Sequence, residues 1–424
     1  MTDVSPFRGL RYDPARCDLS RVIVPPYDVI TPEERVAFYE RDPHCAIRLE
    51  LTKDVSAERD TDYSEVARTL ADWQREGALV RDAKPALYGL RQRYVAPDGG
   101  ERVREGFFAA LRLEPYERRI VRPHERTLAG PKADRLKILR ATRANLSSVF
   151  LLYEDREQAL AQTLAPAFAR APAAVAKDDL GVEHALWRFD DADLHAAVSH
   201  FLAGRPVVIA DGHHRYETAL AYAAERAAAE PTAGPDEPWR STLAYFANAY
   251  APGSLLLPIH RVVKKGPAPT EAAWRERLAG WRHETVRVAA AGDVPAALSK
   301  HLAPRAPAPS FAADDGSGVL HVAWRERRGD ELAIRAVHEE VIGGVLGLDE
   351  TAVREGAIDF PKDARRAAED VRAGRGAVAI YLNALTPDDV FRVTAAGEIL
   401  PQKSTFFLPK LPTGLVFRPH EAAA

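Results

Sequence analysis

The stretch that most restricts the fold runs from Pro206 to Leu220. Val207, Val208, Ile209 and Ala210 form an apolar run, and Asp211 and Gly212 follow as turn formers. Tyr216, Ala219, Leu220 and Ala223 then recur at helical spacing. The run reads as a short buried strand and the recurrence as a helix, with Asp-Gly as the sharp turn between them. A strand that feeds straight into a helix aims the helix's free N–H groups at one point, and that point favours an anion. His213, His214 and Arg215 crowd the same turn. An N-cap role would account for Asp211 alone; it needs neither two histidines nor an arginine. The turn is therefore read as a functional site. Asp211 is its base or metal ligand, Arg215 a planar fork for phosphate, and His213 and His214 are catalytic candidates.

The rest of the chain alternates helices and strands. Val22–Val24 reads as a strand ended by Pro25 and Pro26, which stiffen the exit and present Tyr27 and Asp28. Thr31-Pro32-Glu33-Glu34 opens a helix with a capping box. His44–Thr52 reads as a strand, because Ile47, Leu49 and Leu51 alternate with Arg48 and Glu50. Tyr63–Glu76 reads as a helix with Val66, Leu70 and Trp73 on its apolar face. Leu87–Tyr94 and Arg102–Leu113 read as a hairpin closed around Asp98-Gly99-Gly100. Val149–Tyr153 and Ala377–Leu382 are buried strands, Asp193–Leu202 is a helix, and Leu332–Val337 suits a strand. The fold class is α+β, with mixed sheets, helices and two lobes. The expected divisions are 1–175, 176–265 and 266–424, the first break falling where an alanine-rich stretch frays near Pro172.

Two further segments are too polar for ordinary connections. His124, Glu125, Arg126 and Thr127 lie between Pro123 and Pro131, with Lys132 and Asp134 just beyond. They are the expected second half of the site. The tail from Pro401 to Phe417 sets Gln402-Lys403-Ser404-Thr405 before aromatics and prolines, as a docked segment lending Lys403 and Ser404 to a cleft would. Lysine is sparse in this chain, which draws attention to Lys132, Lys403 and Lys410. His260 reads as a core histidine.

Composition narrows the function classes. At 424 residues and 46% hydrophobic content the chain can build two or three compact units. A net charge of −3 with no basic block removes the electrostatic basis for non-specific nucleic-acid binding. Cys17 and Cys45 are the only cysteines and lack metal-type spacing, which suits a reducing compartment. No stretch is long and apolar enough to span a bilayer, and Met1–Leu10 has no signal-peptide run. The expected setting is cytoplasmic, with a small-molecule substrate and a phosphate donor as partners rather than a membrane or nucleic acid.

Four blocks together carry a family resemblance: Val24-Pro25-Pro26-Tyr27-Asp28; Pro123 to Thr127 with Pro131 to Arg135; Asp211 to Arg215; and Gln402 to Phe407 with Pro409-Lys410. They resemble a bacterial family of unknown function, number 1015 among domains so labelled, that is associated with ParB-like proteins. The phosphate-binding box of the ParB-like superfamily is a strand, then Gly-x-x-Arg, then an alanine-containing helix; Gly212, Arg215 and Ala219 match it. In the free-serine kinases of that superfamily the turn resembles Asp-Gly-His-x-Arg, which is closer still. The resemblance implies a ParB-like phosphate-binding core and a kinase that phosphorylates a hydroxy amino acid, free serine first. ATP, ADP or pyrophosphate would be the donor and Mg²⁺ the cofactor. Asp211 would act on the hydroxyl or the metal, and Gly212, His213 and Arg215 would bind phosphate, with His214 in the pattern's free position. Asp28 and Glu125 are candidates for the acid those kinases carry near their N-terminus. His124, Arg126, Lys132, Lys403 and Ser404 would complete the phosphate side. The alternative is a ParB-like regulatory protein that binds or hydrolyses a nucleotide without small-molecule kinase activity. A metal hydrolase built on His213, His214 and Asp211 ranks last, since adjacent histidines in a tight turn rarely ligate one ion.

Overall fold

A computed structural model describes residues 1–51, 63–125, 127, 129–401 and 403–420. The chain forms two compact units. The first comprises residues 1–255, 394–397 and 409–424, and the second residues 256–393 and 398–408. The fold is α+β. The break expected at 175/176 falls inside a strand of the first unit's sheet, so the fraying near Pro172 marks a loop and not a lobe boundary.

The first unit is organised by a nine-stranded mixed sheet. Its strands are β1 (Val4–Ser5), β2 (Leu87–Val95), β3 (Glu101–Arg112), β4 (Val121–Arg122), β5 (Val149–Tyr153), β6 (Ala174–Lys177), β7 (Glu183–Phe189), β8 (Val207–Asp211) and β9 (Ser241–Asn248). The order is β4-β8-β5-β9-β3-β2-β7-β6, with β1 pairing on β3. The pairs β8·β4 and β9·β5 are parallel and the others antiparallel.

The sheet's two faces differ in chemistry. One carries Phe107, Ala109, Leu111, Val149, Leu151, Val207, Ile209, Ala244 and Phe246, which belong to one apolar core. Burying each such large side chain contributes about 1.5–3 kcal/mol. The other face carries Phe150, Phe108 and Tyr245 together with the polar residues Gln92, Arg104 and His184.

Helices α1 (Ile47–Glu50), α2 (Ser64–Arg75), α3 (Ala129–Thr142), α4 (Ala192–Ala203) and α5 (His213–Ala229) belong to this unit. The expected helix and hairpin spans from Tyr63 to Leu113 are present within a residue or two, and Val66, Leu70 and Trp73 are buried on α2.

Two strand expectations in this unit do not hold. Leu19–Val22 is a single helical turn started by the Asp18 carboxylate, which accepts from the Ser20 N–H. Val24 makes only a bridge to Thr413 in the tail. Ile47–Glu50 is helical, with the N–H groups of Glu50 and Leu51 bonded to the carbonyls of Ala46 and Ile47. The alternation there misled because Glu50 is as buried as its apolar neighbours, being held by Arg135. Thr52, the end of that expected strand, lies outside the described residues.

The second unit holds a six-stranded antiparallel sheet of β10 (Arg261–Val263), β11 (Arg282–Arg287), β12 (Ser310–Asp314), β13 (Val319–Trp324), β14 (Ile358–Asp359) and β15 (Val378–Leu382), in the order β11-β13-β12-β15-β10-β14. Leu332–Val337, expected as a strand, is instead helical. Ala333–Ala336 leads into wider turns over Val337–Val345, whose buried Val337, Val341, Ile342 and Val345 set the helical spacing. His260 is buried as expected, its Nδ1 accepting from the Leu382 N–H at 3.4 Å. No helix among the described residues is long and apolar enough to cross a membrane.

Candidate functional site

The strand–turn–helix has the expected form. β8 ends at Asp211, Gly212 takes the left-handed conformation (φ 89°), and α5 starts at His213. The positive φ favours glycine here, and a side chain at this position would also place its Cβ 3.0 Å from Arg215 Nε, so that the guanidinium would have to shift. Asp211 is not the N-cap. Gly212 occupies that position, and no side chain among the described residues caps it. The positive end of this 17-residue helix's dipole lies at the turn and favours an anion there.

A bulge aims the acid. Ile209 pairs with Leu151 and Asp211 with Phe150, so Ala210 is the extra residue. Simple alternation would send Asp211 to the apolar face with Ile209; the bulge turns it to the face of Phe150. There its Oδ2 accepts from Arg215 Nη2 at 3.0 Å and its Oδ1 from Lys410 Nζ at 3.2 Å. Burial pushes the Asp211 carboxyl up, but Lys410 and then Arg215 outweigh burial and hold it well below the usual carboxylate range. Asp211 is ionised at any working pH. Arg215 also donates from Nη1 to the Ser148 carbonyl. Burial lowers its pKa, but the charges of Asp211 and Asp28 more than reverse this.

The two histidines differ. His213 is buried, and its Nε2 accepts from the His124 N–H at 3.3 Å. Burial and the neighbouring His124 lower its pKa to about 3, so it is neutral. The His124 ring lies edge-on at 4.6 Å, and its Nδ1–H donates to the Ile209 carbonyl at 2.5 Å. These two rings fasten the 124 loop to the turn. His214 is half exposed, and burial lowers its pKa against the opposing charges of Glu217 and Asp28. Glu217, one turn along α5, accepts from Thr127 Oγ1 at 2.7 Å and from Lys132 Nζ at 2.8 Å.

The structure thus brings together Asp211, Gly212, His213, His214, Arg215, His124 and Lys132. Glu125 lies beside them, 3.7 Å from His124 Nε2. Asp28 is exposed but near enough to act on Arg215 and His214. Arg126 lies outside the described residues. Lys403 (φ 54°) and Ser404, whose hydroxyl donates to the Pro401 carbonyl, belong to the second unit.

Sequence reasoning attached the tail's role to Lys403 and Ser404, whereas Lys410 is the tail residue that meets Asp211. Its signal was a lysine between Pro409 and Pro412. Glu50 and Arg135 were also passed over. This buried pair, 2.7 Å apart, backs the site through the Arg135 guanidinium, which lies 4.1 Å over the Tyr27 ring. A small recess lined by Glu50, Arg135, Asn145, Ser147, Arg215 and Thr218 opens beside the turn. A larger groove of this unit lies elsewhere, lined by residues 5–8 and 235–238.

Magnesium wants one or two carboxylate oxygens with waters and phosphates completing an octahedron. Both Asp211 oxygens already face cations. Among the described residues no three His, Cys, Asp or Glu side chains converge as ligands. The positive charges that face Asp211 are the side chains of Arg215 and Lys410.

The turn is thus a strand–turn–helix with a carboxylate paired to two cations beside a helix start that no side chain caps. The chain matches, over residues 4–301, the model of a family described as a protein of unknown function (DUF1015), and it belongs to that family. No curated protein matches it. Among solved structures it is similar to a mutant free serine kinase in complex with ADP (12% identity, 72% of this chain and 87% of that chain, TM-score 0.35). It is also similar to SbnI with a C-terminal truncation from Staphylococcus aureus (12%, 71% and 84%, TM-score 0.36). A third is a conserved hypothetical protein from Pyrococcus furiosus (12%, 74% and 95%, TM-score 0.34).

Proposed function

We propose that the protein is a small-molecule kinase that moves a phosphoryl group from a nucleotide or pyrophosphate to the hydroxyl of an amino acid, serine being the first acceptor to try. The observation that carries this reading is Asp211, held ionised between Arg215 and Lys410 at the foot of an uncapped helix. Phosphoryl transfer asks for positioning, cationic groups around the phosphates and a carboxylate to receive the hydroxyl proton. An ionised carboxylate has about four lone-pair sites. The two bonds to Arg215 and Lys410 leave room for an acceptor hydroxyl. In this reading the hydroxyl proton passes to Asp211 and the oxygen bonds to the terminal phosphorus. The bond from that phosphorus to the donor's bridging oxygen breaks, and the shortened donor leaves. The N–H groups at the start of α5 face the donor phosphates, and Lys132 and His214 line their approach. The match of this turn to the Asp-Gly-His-x-Arg pattern supports the same reading.

The test is a donor-by-acceptor screen with ATP, ADP, CTP and pyrophosphate against hydroxy amino acids, with phosphoserine formation as readout. Transfer should appear with at least one pair and vanish in Asp211→Asn. Nucleotide binding or hydrolysis with no phosphorylated acceptor would favour the regulatory alternative. Wild-type turnover in Asp211→Asn would remove the acid from the mechanism.

A further inference from the structure

Opposite the apolar core, three strands in register lay a wired row of polar side chains across the sheet. His184 on β7 pairs with Gln92 on β2, and Gln92 with Arg104 on β3. All three are fully buried. The row has one direction. Asp178 Oδ2 receives the His184 Nε2–H at 2.9 Å, so Nδ1 is left to accept from Gln92 Nε2 at 3.2 Å. The second amide hydrogen of Gln92 goes to the Lys410 carbonyl at 3.1 Å. Gln92 Oε1 accepts from Arg104 Nε at 3.0 Å and from Nη2 at 2.5 Å, and Nη2 also donates to the Pro409 carbonyl at 2.6 Å. Gln92 thereby makes every bond its amide allows, and its orientation is set from the His184 end.

Arg104 is the unusual member. Its guanidinium lies 4.6 Å from the Phe150 ring centroid, with no exposure, and among the described residues none of its bonds goes to a carboxylate. A buried charge without a paired acid is expensive, and an apolar residue would fill the space at lower cost. What the row grips is specific: the two consecutive carbonyls of Pro409 and Lys410, next to the side chain that reaches Asp211.

We infer that Gln92 and Arg104 are positioning residues, which hold the tail at Pro409 and Lys410 so that the Lys410 ammonium is set against Asp211. The inference rests on the site reading above. Its test needs no turnover, so it can fail or stand separately from the kinase proposal.

The experiment measures acylation of individual lysines in the full chain by acetic anhydride, read by peptide mass spectrometry. Lys84, which is exposed, serves as reference, and Lys132, paired to Glu217, as control. The variant is Gln92→Met/Arg104→Met, which removes the Gln92–Arg104 bonds from both sides and releases the Pro409 and Lys410 carbonyls and His184 Nδ1. Lys410 should label about ten-fold faster relative to Lys84, the factor that corresponds to one lost charge-assisted hydrogen bond. That rate should approach the rate in Asp211→Asn, while Lys132 stays unchanged. An unchanged Lys410 ratio in the folded variant overturns the inference. So does a parallel rise at Lys132, which would report general loosening. If the double variant does not fold, Gln92→Met alone is read in the same way, and Arg104→Lys should keep part of the protection.

Discussion

The pairing of Lys410 with Asp211 can be weighed by a double-variant cycle. Asp211 takes one hydrogen bond from each cation, at 3.2 and 3.0 Å. A hydrogen bond to a charged group contributes about 1.5–3 kcal/mol, so Lys410→Met should cost about 2 kcal/mol, with Arg215 still serving the acid. Asp211→Asn strips counter-charge from both cations, whose side chains are only 10% (Arg215) and 21% (Lys410) exposed. The cost then approaches that of breaking a buried pair, about 3–5 kcal/mol. In the Asp211→Asn background, Lys410→Met removes an unpaired cation instead of a bond, so the second change should add less than about 1 kcal/mol, a coupling of more than about 1 kcal/mol. The working pH follows from the sign. The Asp211 pKa is depressed on folding, so its contribution is fully present above the unfolded value of about 3.9 and fades only as pH falls through the folded one. At pH 7 the cycle sees all of it. With two units in the chain, a whole-chain melt is not one clean transition. Hydrogen exchange of the Val207–Asp211 peptide against urea isolates the unit that holds the site. Additivity of the two changes within about 0.5 kcal/mol refutes the pairing.

Three other outcomes are expected. Arg215→Ala should weaken donor binding at least about ten-fold in titration calorimetry, the scale of a charge-assisted bond; unchanged affinity would confine Arg215 to holding Asp211 and Ser148. Glu50→Gln removes one of the two counter-charges of the buried Arg135, Asp134 remaining as the other, and should lower the first unit's stability by about 1.5–3 kcal/mol, visible as a lower urea midpoint for the same β8 peptide. His260 and His338 in the second unit have pKa values lowered to about 4 and about 3, chiefly by burial. The unfolded chain takes those protons first, so their contribution is present above about 6.5 and is lost as pH falls from there toward 4, at about 1.4 kcal/mol per pH unit for each. Exchange of the Val378–Leu382 peptide should follow that slope, and His338→Gln should lower it by about 1.4 kcal/mol per pH unit, leaving the His260 share.

The strand, turn and helix at 206–220 were legible because three local signals agreed: an apolar run, Asp-Gly, and helical spacing after it. The 124–132 block was legible for a different reason, excess polarity between prolines, and the two-ring contact of His124 with His213 shows what that excess is for. What stayed hidden depends on partners far along the chain. Ile47–Glu50 alternates like a strand, and only the distant Arg135, which makes a buried Glu50 tolerable, explains why it is not one. Gln92 and Arg104 look like the solvent side of a hairpin, because nothing local announces that residues 409 and 410 will cover them. Lys410 shared its tail with Lys403, and no local pattern tells which of two lysines a docked segment will present to a distant acid.

The bulge at Ala210 explains how one short strand serves two purposes. Strict alternation would commit every second residue of β8 to the apolar core, and a carboxylate there would have to be neutral or paired at heavy cost. One extra residue keeps Val207 and Ile209 in the core while Asp211 emerges on the face where Arg104 covers Phe150. On that face the acid has Arg215, four residues on in the first turn of α5, and Lys410 from the tail, so its charge is balanced from two directions in sequence. The turn alone could make an anion site of the kind any helix start offers. What gives this one a standing carboxylate is a tail residue 199 positions away, so the chemistry proposed for the turn depends on the docking of residues 409–420 as much as on the motif itself.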